Sequence, residues 1–442
     1  MKKLISLLLA LMLMLSLAAC SSTTDPASDT GTPATTNEEP AATNTDASES
    51  DAEPESPTSD VTLTYWSMWN ANEVQGKVLQ EAIDAFTAAT GIQVNIEWRG
   101  RDITTQITAA LESKTAIDLF DDDYQRVSQQ YNAHLLDLSD LVASSGYDAK
   151  VQPLFLDIAR DYGEGALYTI PYQLYTSGIV FSKDAFDAAG VDPATITSWD
   201  GFIAACAALK DAGYTPIALD GGGTPRYLYS YILARLIGQD GCKDLAVNGG
   251  WSENEGAIQA AEYIIELRDN DYVLDPIGTY PEGEYTIGFG ESAMIVLPDY
   301  VISEVIAGTG CDIEWGFISF PDLGGVEDDT YANVGAQGFG IPAYSEHSEE
   351  AFQLIQWLTT GEWDQKLAEA TLHSPCDVNN QASGLVADIQ ASISTLTGYY
   401  DYQCGTNANP DIRLNTEVQA LFEGAYATAA DFLAACDARY TG

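Results

Sequence analysis

From Val61 to Asn70 the chain alternates apolar and polar side chains and ends in aromatics, the period of a half-buried strand. Leu79, Ala82, Ile83 and Phe86 then recur at helical spacing, and Gly91 is placed to stop that helix. Alternation returns at Ile92, Val94, Ile96 and Trp98, which predicts a second strand. A further helix carries Ile103, Ile107, Ala110 and Leu111, and a short apolar strand at 117–120 runs into Asp121-Asp122-Asp123. This rhythm predicts an α/β fold with an open, mostly parallel sheet. Downstream, Ser198 can cap a helix with Trp199, Phe202, Ile203, Cys206 and Leu209 on one face, ended by Gly213. A strand at 216–219 breaks at Asp220-Gly221-Gly222-Gly223. Helical periodicity resumes at Ala257, Ala261, Ile264, Ile265 and Arg268, and again over 348–360. No repeat of about 20–50 residues is visible, which excludes a solenoid. About 380 residues of such pattern predict two lobes rather than one.

The N-terminus follows a different pattern. Lys2 and Lys3 precede an apolar run from Leu4 to Ala19, shorter than the ~20 residues of a membrane span and suited to a secretory signal. Its end, Leu17-Ala18-Ala19-Cys20, resembles the lipobox of bacterial lipoproteins, which implies cleavage before Cys20 and a diacylglyceryl thioether on that residue. Residues 21–60 contain no Lys, Arg or large apolar side chain, so they are read as a disordered, acidic Ser/Thr/Pro tether.

Charge narrows the possible partners. The 442 residues hold 18 Lys and Arg against 66 Asp and Glu, a net charge of −48, and residues 61–442 keep 56 acids against 16 bases. Such a surface repels phosphate backbones, so nucleic acid is excluded as a partner. His134, His347 and His373 lie far apart and no local zinc spacing occurs, so neither a metal nor a cofactor is expected. The spacing of Cys206, Cys242, Cys311, Cys376, Cys404 and Cys436 fixes no pairing, and buried free thiols fit equally well.

The order YWSMWN, AFTAATGIQVNIEW, AIDLFDDD and IPYQLYTSGIVFSKDAFDAAGVDP, followed by Ser198-Trp199-Asp200, resembles the extracellular solute-binding proteins of carbohydrate-uptake ABC transporters (solute-binding family 1, maltose-binding-protein-like). The likeness spans about residues 60–440. It implies a type II periplasmic-binding-protein fold of two lobes, 61–170 with 296–338 and 172–294 with 340–442. Crossovers would fall near Ile170-Pro171, Leu297-Pro298 and Gly340-Ile341. It also implies a monomeric receptor that captures a sugar by lobe closure, performs no chemistry and delivers its cargo to permease subunits. The lipid on Cys20 would hold it on the outer face of the cell membrane.

Ligands of open α/β sheets sit beyond the carboxyl ends of strands. That rule selects Trp66 and Trp69 as platforms for a sugar face and Asn70 as a two-way hydrogen-bonding partner. Asp122 or Asp123 could accept from vicinal hydroxyls, and DDDYQ lacks the spaced oxygens of a calcium loop. Tyr172 and Gln173 stand at the first crossover, and Trp251 follows Gly249-Gly250. The resemblance adds Asp299 and Tyr300, where relatives more often carry Trp, and Gln337 at the last crossover. Asp220 with its glycines could contribute from the other lobe. Cys376 and His373 form no recognisable nucleophile and base, since no orienting element accompanies them. A secreted glycan-active hydrolase would need a carboxylate pair that the acid count alone cannot reveal. A receptor for a cation such as a polyamine is compatible with the acidity, whereas the aromatic strand ends favour sugars.

Mass spectrometry of membrane-extracted protein is expected to find an acylated Cys20 as the first residue. An intact chain beginning upstream of Cys20 would refute the lipobox reading.

Overall fold

In the computed structural model, which describes residues 57–440, the first alternating segment forms β1 (Thr62–Ser67). It pairs in parallel with β2 (Gln93–Trp98) and β3 (Leu119–Asp123). Helix Val74–Thr90 lies between β1 and β2 and buries Val78, Leu79, Ala82, Ile83 and Phe86. Gly91 ends it at φ 79°, in the left-handed region where a side chain would be strained, and donates to the Thr87 carbonyl. The signal, Cys20 and tether readings for residues 1–56 lie outside the described residues.

Six further strands complete one sheet: β4 (Ile170–Ser182), β5 (Thr215–Ile217), β6 (Ser292–Pro298), β7 (Trp315–Ile318), β8 (Tyr331–Gly340) and β9 (Gly398–Tyr400). The order is β2-β1-β3-β8-β4-β6-β5, with β7 on β4 and β9 on β8. The pairs β1–β2, β1–β3, β5–β6 and β8–β9 are parallel, as the strand–helix alternation predicts. However, β4 runs antiparallel to β6, β7 and β8, and β3 to β8, so the sheet is mixed. The antiparallel pairs all involve β4 or β8, the strands that carry the chain between the two halves.

Ile170, Pro171 and Tyr172 of β4 lie opposite Phe339, Gly338 and Gln337 of β8. The register then shifts, Tyr175 and Thr176 meet Gly335 and Val334, and Ser177–Phe181 leave β8 for β6. Past the shift, successive side chains enter different cores. Val180, Ile295 and Leu297 join one buried cluster, with Val301, Trp315 and Phe317, while Ile179, Phe181, Met294 and Val296 join a second on the other face.

The crossovers expected at Leu297-Pro298 and Gly340-Ile341 require correction. Leu297 and Pro298 pair with Gly178 and Ser177, and β7 pairs with Ile179–Ser182, so this stretch stays with the second half. The chain returns to the first half through β8, and residues beyond 340 remain there because helix Ser348–Thr359 covers helix Val74–Thr90. Trp357 packs edge-on against Phe86 at 5.9 Å and donates from Nε1 to the Ala82 carbonyl at 3.0 Å. Lys366, on helix Gly361–Thr371, pairs with Glu81. The third passage follows, where Ser374 bridges Leu174; helix Gly384–Thr395 then packs on β7, with Ser392 bonded to Ser319 at 2.9 Å. The six Cys beyond residue 200 are free thiols, all buried except the half-buried Cys311.

One buried network ties the first passage to the strand ends. Asp121 accepts from the Met68 N–H at 3.1 Å and from the Tyr172 hydroxyl at 2.5 Å, and that hydroxyl accepts from Trp69 Nε1 at 2.7 Å. The Tyr172 ring stacks on Phe339 at 4.2 Å. Burial pushes the Asp121 carboxyl up to about 6, although the bonds from Tyr172, Tyr65 and Met68 pull it down. A carboxyl whose folded value exceeds its unfolded one stabilises fully below the unfolded value, near pH 4, and loses that contribution as pH rises through 6. A separation of about 2 pH units is worth ~3 kcal/mol. His373 acts in the opposite sense. Burial lowers it to about 4, so its contribution is complete above pH 6.5 and is lost as pH falls toward 4. The variant Asp121→Asn is expected to flatten the pH dependence of unfolding between about pH 4 and pH 7, by up to ~3 kcal/mol relative to wild type. Parallel urea-unfolding profiles for the two proteins would show that Asp121 titrates like an exposed carboxyl.

Candidate functional site

Asp123 ends β3 and caps helix Tyr124–Gln130, its Oδ1 accepting from the Arg126 N–H at 2.9 Å. The cap starts the helix at the mouth of a gap between the two halves. Tyr124 meets Tyr162 edge-on at 5.4 Å, and Tyr162 meets Tyr399 of the other half at 6.2 Å. Tyr124 and Tyr162, with Tyr175 of β4, Asn333 and Val334 of β8, and Tyr402, line a cavity of ≈ 450 Å³. A second cavity of ≈ 270 Å³ adjoins it and also has Tyr402 in its wall. Tyr175 touches Tyr300 of that second cavity edge-on at 5.6 Å.

Asn333 fixes the segment that bears Tyr402. Its Nδ2 donates to the carbonyls of Tyr400 at 3.1 Å and Asp401 at 2.7 Å, while its Oδ1 accepts from the hydroxyls of Tyr227 and Ser177. Asp401 in turn accepts from the Gly405 N–H at 2.6 Å. Between these anchors Gln403 and Cys404 adopt φ of 61° and 52°. Tyr402 stands 56% exposed in the cleft, an unusual exposure for so large a ring.

The second cavity is acidic. Gly222 N–H donates to Asp220 Oδ1 at 2.8 Å, and the Thr224 hydroxyl closes the turn by accepting from the Asp220 N–H at 2.7 Å. Helix Glu282–Gly288 presses onto this turn: a Cβ at Gly283 would lie 2.1 Å from the Leu219 carbonyl oxygen. The approach places Glu284 beside Asp220, and Glu304 of helix Val301–Thr309 completes the wall. Burial first, then the charges of Asp220 and Glu304, hold the Glu284 carboxyl well above the usual range.

Of the residues selected from sequence, Asp123, Asp220 and Tyr300 line the two cavities. Asp122 lies behind Asp123, fully buried, paired with Arg126 and accepting from the Tyr131 hydroxyl at 3.0 Å. Trp66 is buried beneath the Arg99 guanidinium, 3.7 Å from the ring centroid, and Arg101 covers Trp69 at 4.4 Å. Asn70 bonds to Glu73 at the exposed start of helix Val74–Thr90. Tyr172 belongs to the Asp121 network, and Gln173, at φ 50°, occupies the register shift with its Nε2 unbonded. Asp299 is buried with Oδ2 accepting from the Thr176 N–H at 3.2 Å. Gln337 is half-buried opposite Asp123, its Oε1 unbonded. Trp251 sits in the second core with Nε1 donating to the Tyr440 hydroxyl at 3.3 Å. Neither strand ends nor spacing pointed to Tyr124, Tyr162, Tyr175, Glu284 or Tyr402. Only the glycine run after Asp220 marked its wall. Cys376 is no nucleophile: its thiol contacts the Pro171 carbonyl at 3.6 Å, and burial, reinforced by Asp364, keeps it protonated.

Comparison with known proteins agrees with this architecture. The family model described as bacterial extracellular solute-binding protein matches residues 70–365. A lactose-binding protein of Rhizobium radiobacter is 22% identical over 66% of this chain and 69% of its own length. An uncharacterized ABC transporter extracellular-binding protein of Pyrococcus horikoshii is 24% identical, but the match spans only 44% of each chain. A probable secreted solute-binding lipoprotein from Streptomyces coelicolor superposes with a TM-score of 0.71 at 18% identity, covering 86% of this chain and 98% of its own. A sugar transporter from Bacillus licheniformis, solved in complex with stachyose, gives 0.59 at 19%, covering 86% and 98%. The fold they share is the type II two-lobed one.

The Tyr175 ring lies across Gly335, where a Cβ would stand 2.1 Å from its Oη and Cζ. Gly335→Ala is therefore expected to drive the ring off this position and cost ~1–3 kcal/mol of stability by overpacking. Urea unfolding at wild-type stability would show that the ring does not depend on the bare backbone.

Proposed function

Because this chain belongs to the bacterial extracellular solute-binding protein family, we propose that it is the membrane-anchored receptor of an ABC importer, which captures a sugar or oligosaccharide between its lobes and delivers it to the permease. Members of the family are binding proteins rather than enzymes, and they work outside the cytoplasm. In this reading one lobe comprises 57–172 with the return segment through helix Gly361–Thr371, and the other the remainder. The hinge lies where β4, β8 and the Leu174–Ser374 bridge pass between them. The lipid on Cys20 keeps the receptor beside its permease.

The carrying observation is the set of rings that both halves bring to one cleft: Tyr124 and Tyr162 from one side, Tyr300 and Tyr402 from the other, Tyr175 on the strand between. A pyranose ring presents an apolar C–H face to such an aromatic and a rim of hydroxyls to oriented acceptors and donors. Asp123, Gln125 and Gln129 offer those groups along the larger cavity. Closure of the lobes would exclude water and strengthen each polar contact. The names of the lactose-binding relative and of the stachyose complex support the carbohydrate reading.

A broad glycan screen by thermal shift is expected to find at least one sugar that raises the melting temperature, since a ligand bound only by the folded state stabilises it by mass action. With that sugar, Tyr402→Ala should lose ~2–4 kcal/mol of binding, or roughly 30- to 1000-fold in affinity, by titration calorimetry. A Tyr402→Ala protein that binds as wild type does would remove this cleft from consideration.

A further inference from the structure

The smaller cavity holds three carboxyls and no base. Asp220, Glu284 and Glu304 share its wall with tyrosines and glycines, and no Lys, Arg or His is among its lining residues. Elsewhere in the cleft the chain compensates its acids: Arg126 pairs with Asp122 beside the larger cavity. Here it does not. Asp220 is fully buried and Glu284 is 3% exposed; apart from a proton shared between these two carboxyls, Asp220 Oδ2 and Glu284 Oε2 meet no donor in the protein, and neither does Gln403 Oε1, buried in the same wall. A buried carboxylate oxygen without a partner is costly, and the cost is removed when a donor enters the cavity. Among the described residues no group of acids, His or Cys has the geometry to hold a metal ion. The wall instead combines carboxyls with the rings of Tyr280, Tyr300 and Tyr402, the environment that an organic ammonium group prefers.

We propose that the sugar captured by this receptor carries a free amine, and that Asp220, Glu284 and Glu304 receive its ammonium group while the adjoining tyrosine-lined cavity holds the rest of the saccharide. The inference rests on the sugar-receptor reading above and names the substrate class. Three elements face the ammonium position: the strand-end turn with Asp220, helix Glu282–Gly288 with Glu284, and helix Val301–Thr309 with Glu304. The other titratable side chains around it are Tyr227, Tyr280, Tyr300 and Tyr402. Burial and the neighbouring acids keep a proton on the Asp220–Glu284 pair in the empty protein. An arriving ammonium allows both to ionise, so that proton passes to solvent. The strong negative charge of the whole chain favours the same ligands over acidic sugars during encounter.

Titration calorimetry on the intact protein decides the matter, using short oligosaccharides of glucosamine and galactosamine, each beside its N-acetylated and its hydroxyl counterpart. Runs in buffers of different ionisation heat count protons. An amine-bearing sugar is expected to bind roughly tenfold or more tightly than its counterparts, with release of a proton. Glu284→Gln and the half-buried Glu304→Gln should each reduce that preference by roughly tenfold. Should Glu284→Gln fail to fold, Glu304→Gln carries the test alone. Equal or tighter binding of the N-acetylated or hydroxyl sugars overturns the amine assignment and leaves the sugar receptor standing. Binding of spermidine with no binding of any sugar overturns both, as does a screen in which no glycan binds.

Discussion

β4 and β8 pass side by side from one half of the molecule to the other, and the cleft exists because their register shifts between Tyr172 and Tyr175. Three positions of β4 separate Tyr172 from Tyr175 while only two of β8 separate their partners Gln337 and Gly335, so β4 accommodates one extra residue between them. The shift adds a bend. Tyr172 is thereby committed to the buried Asp121 network, and Tyr175 to the cavity wall. Bare backbone on the partner strand is what lets the two strands run this close. A Cβ at Gly338 would stand 2.2 Å from Thr169 Oγ1, and one at Gly335 would overlap the Tyr175 ring. In the proposed receptor, hinge rotation would be absorbed by a few residues of this pair, and the pair also supplies side chains to the wall. Movement and recognition therefore share one element.

The triplet Asp121-Asp122-Asp123 shows how one strand end divides like charges among different tasks. Strand alternation turns Asp122 to the face opposite Asp121 and Asp123, so neighbouring carboxyls do not face one another. Asp121 goes inward to Met68 and Tyr172, Asp122 is neutralised by Arg126 and bonded by Tyr131, and Asp123 caps the next helix at the edge of the cavity. Only the last is free to meet a ligand. The two Trp of β1's end follow a similar logic: each is covered by an Arg, so the aromatic faces that a strand-end rule selects are already occupied by guanidinium groups.

Strand and helix periodicity made β1, β2, helix Val74–Thr90 and helix Trp199–Asp211 legible in the sequence, down to the Gly91 stop and the Ser198 cap, whose hydroxyl accepts from the Gly201 N–H at 3.2 Å. Such features are local: each depends on a handful of neighbouring residues. The antiparallel passages were not legible. A 13-residue strand belonging to two halves reads as one apolar run, and nothing in Ile170–Ser182 says where its partner changes. The return of helix Ser348–Thr359 to the first half escaped for the same reason, since an apolar face does not name the face it covers. The site was legible only where it coincides with a strand end or with a position suggested by resemblance, at Asp123, Asp220 and Tyr300. Tyr124, Tyr162, Tyr175 and Tyr402 converge from four separate segments, and with 24 Tyr in the chain no spacing distinguishes them from core rings.

Backbone strain is concentrated where the halves meet. Among the described residues, seven other than glycine have positive φ, and four of them, Gln173, Leu372, Gln403 and Cys404, lie on the passages or on the segment presenting Tyr402. Each left-handed residue with a Cβ costs ~1–2 kcal/mol, so their grouping needs compensation from rigid surroundings. The structure supplies it locally. Leu372 precedes Ser374, whose N–H donates to the Leu174 carbonyl at 3.0 Å, and Gln403 and Cys404 lie between Asn333's two bonds and the Asp401–Gly405 closure. Gln173 occupies the register shift, with its backbone bonded to the Cys376 sulfur and its side-chain Nε2 buried without a partner. Gln403 likewise carries a buried Oε1 without a partner, but its backbone lies inside those closures. Gln173 instead lies on the passage itself, one residue beyond Tyr172, between the Asp121 network on one side and the cavity-lining Tyr175 on the other.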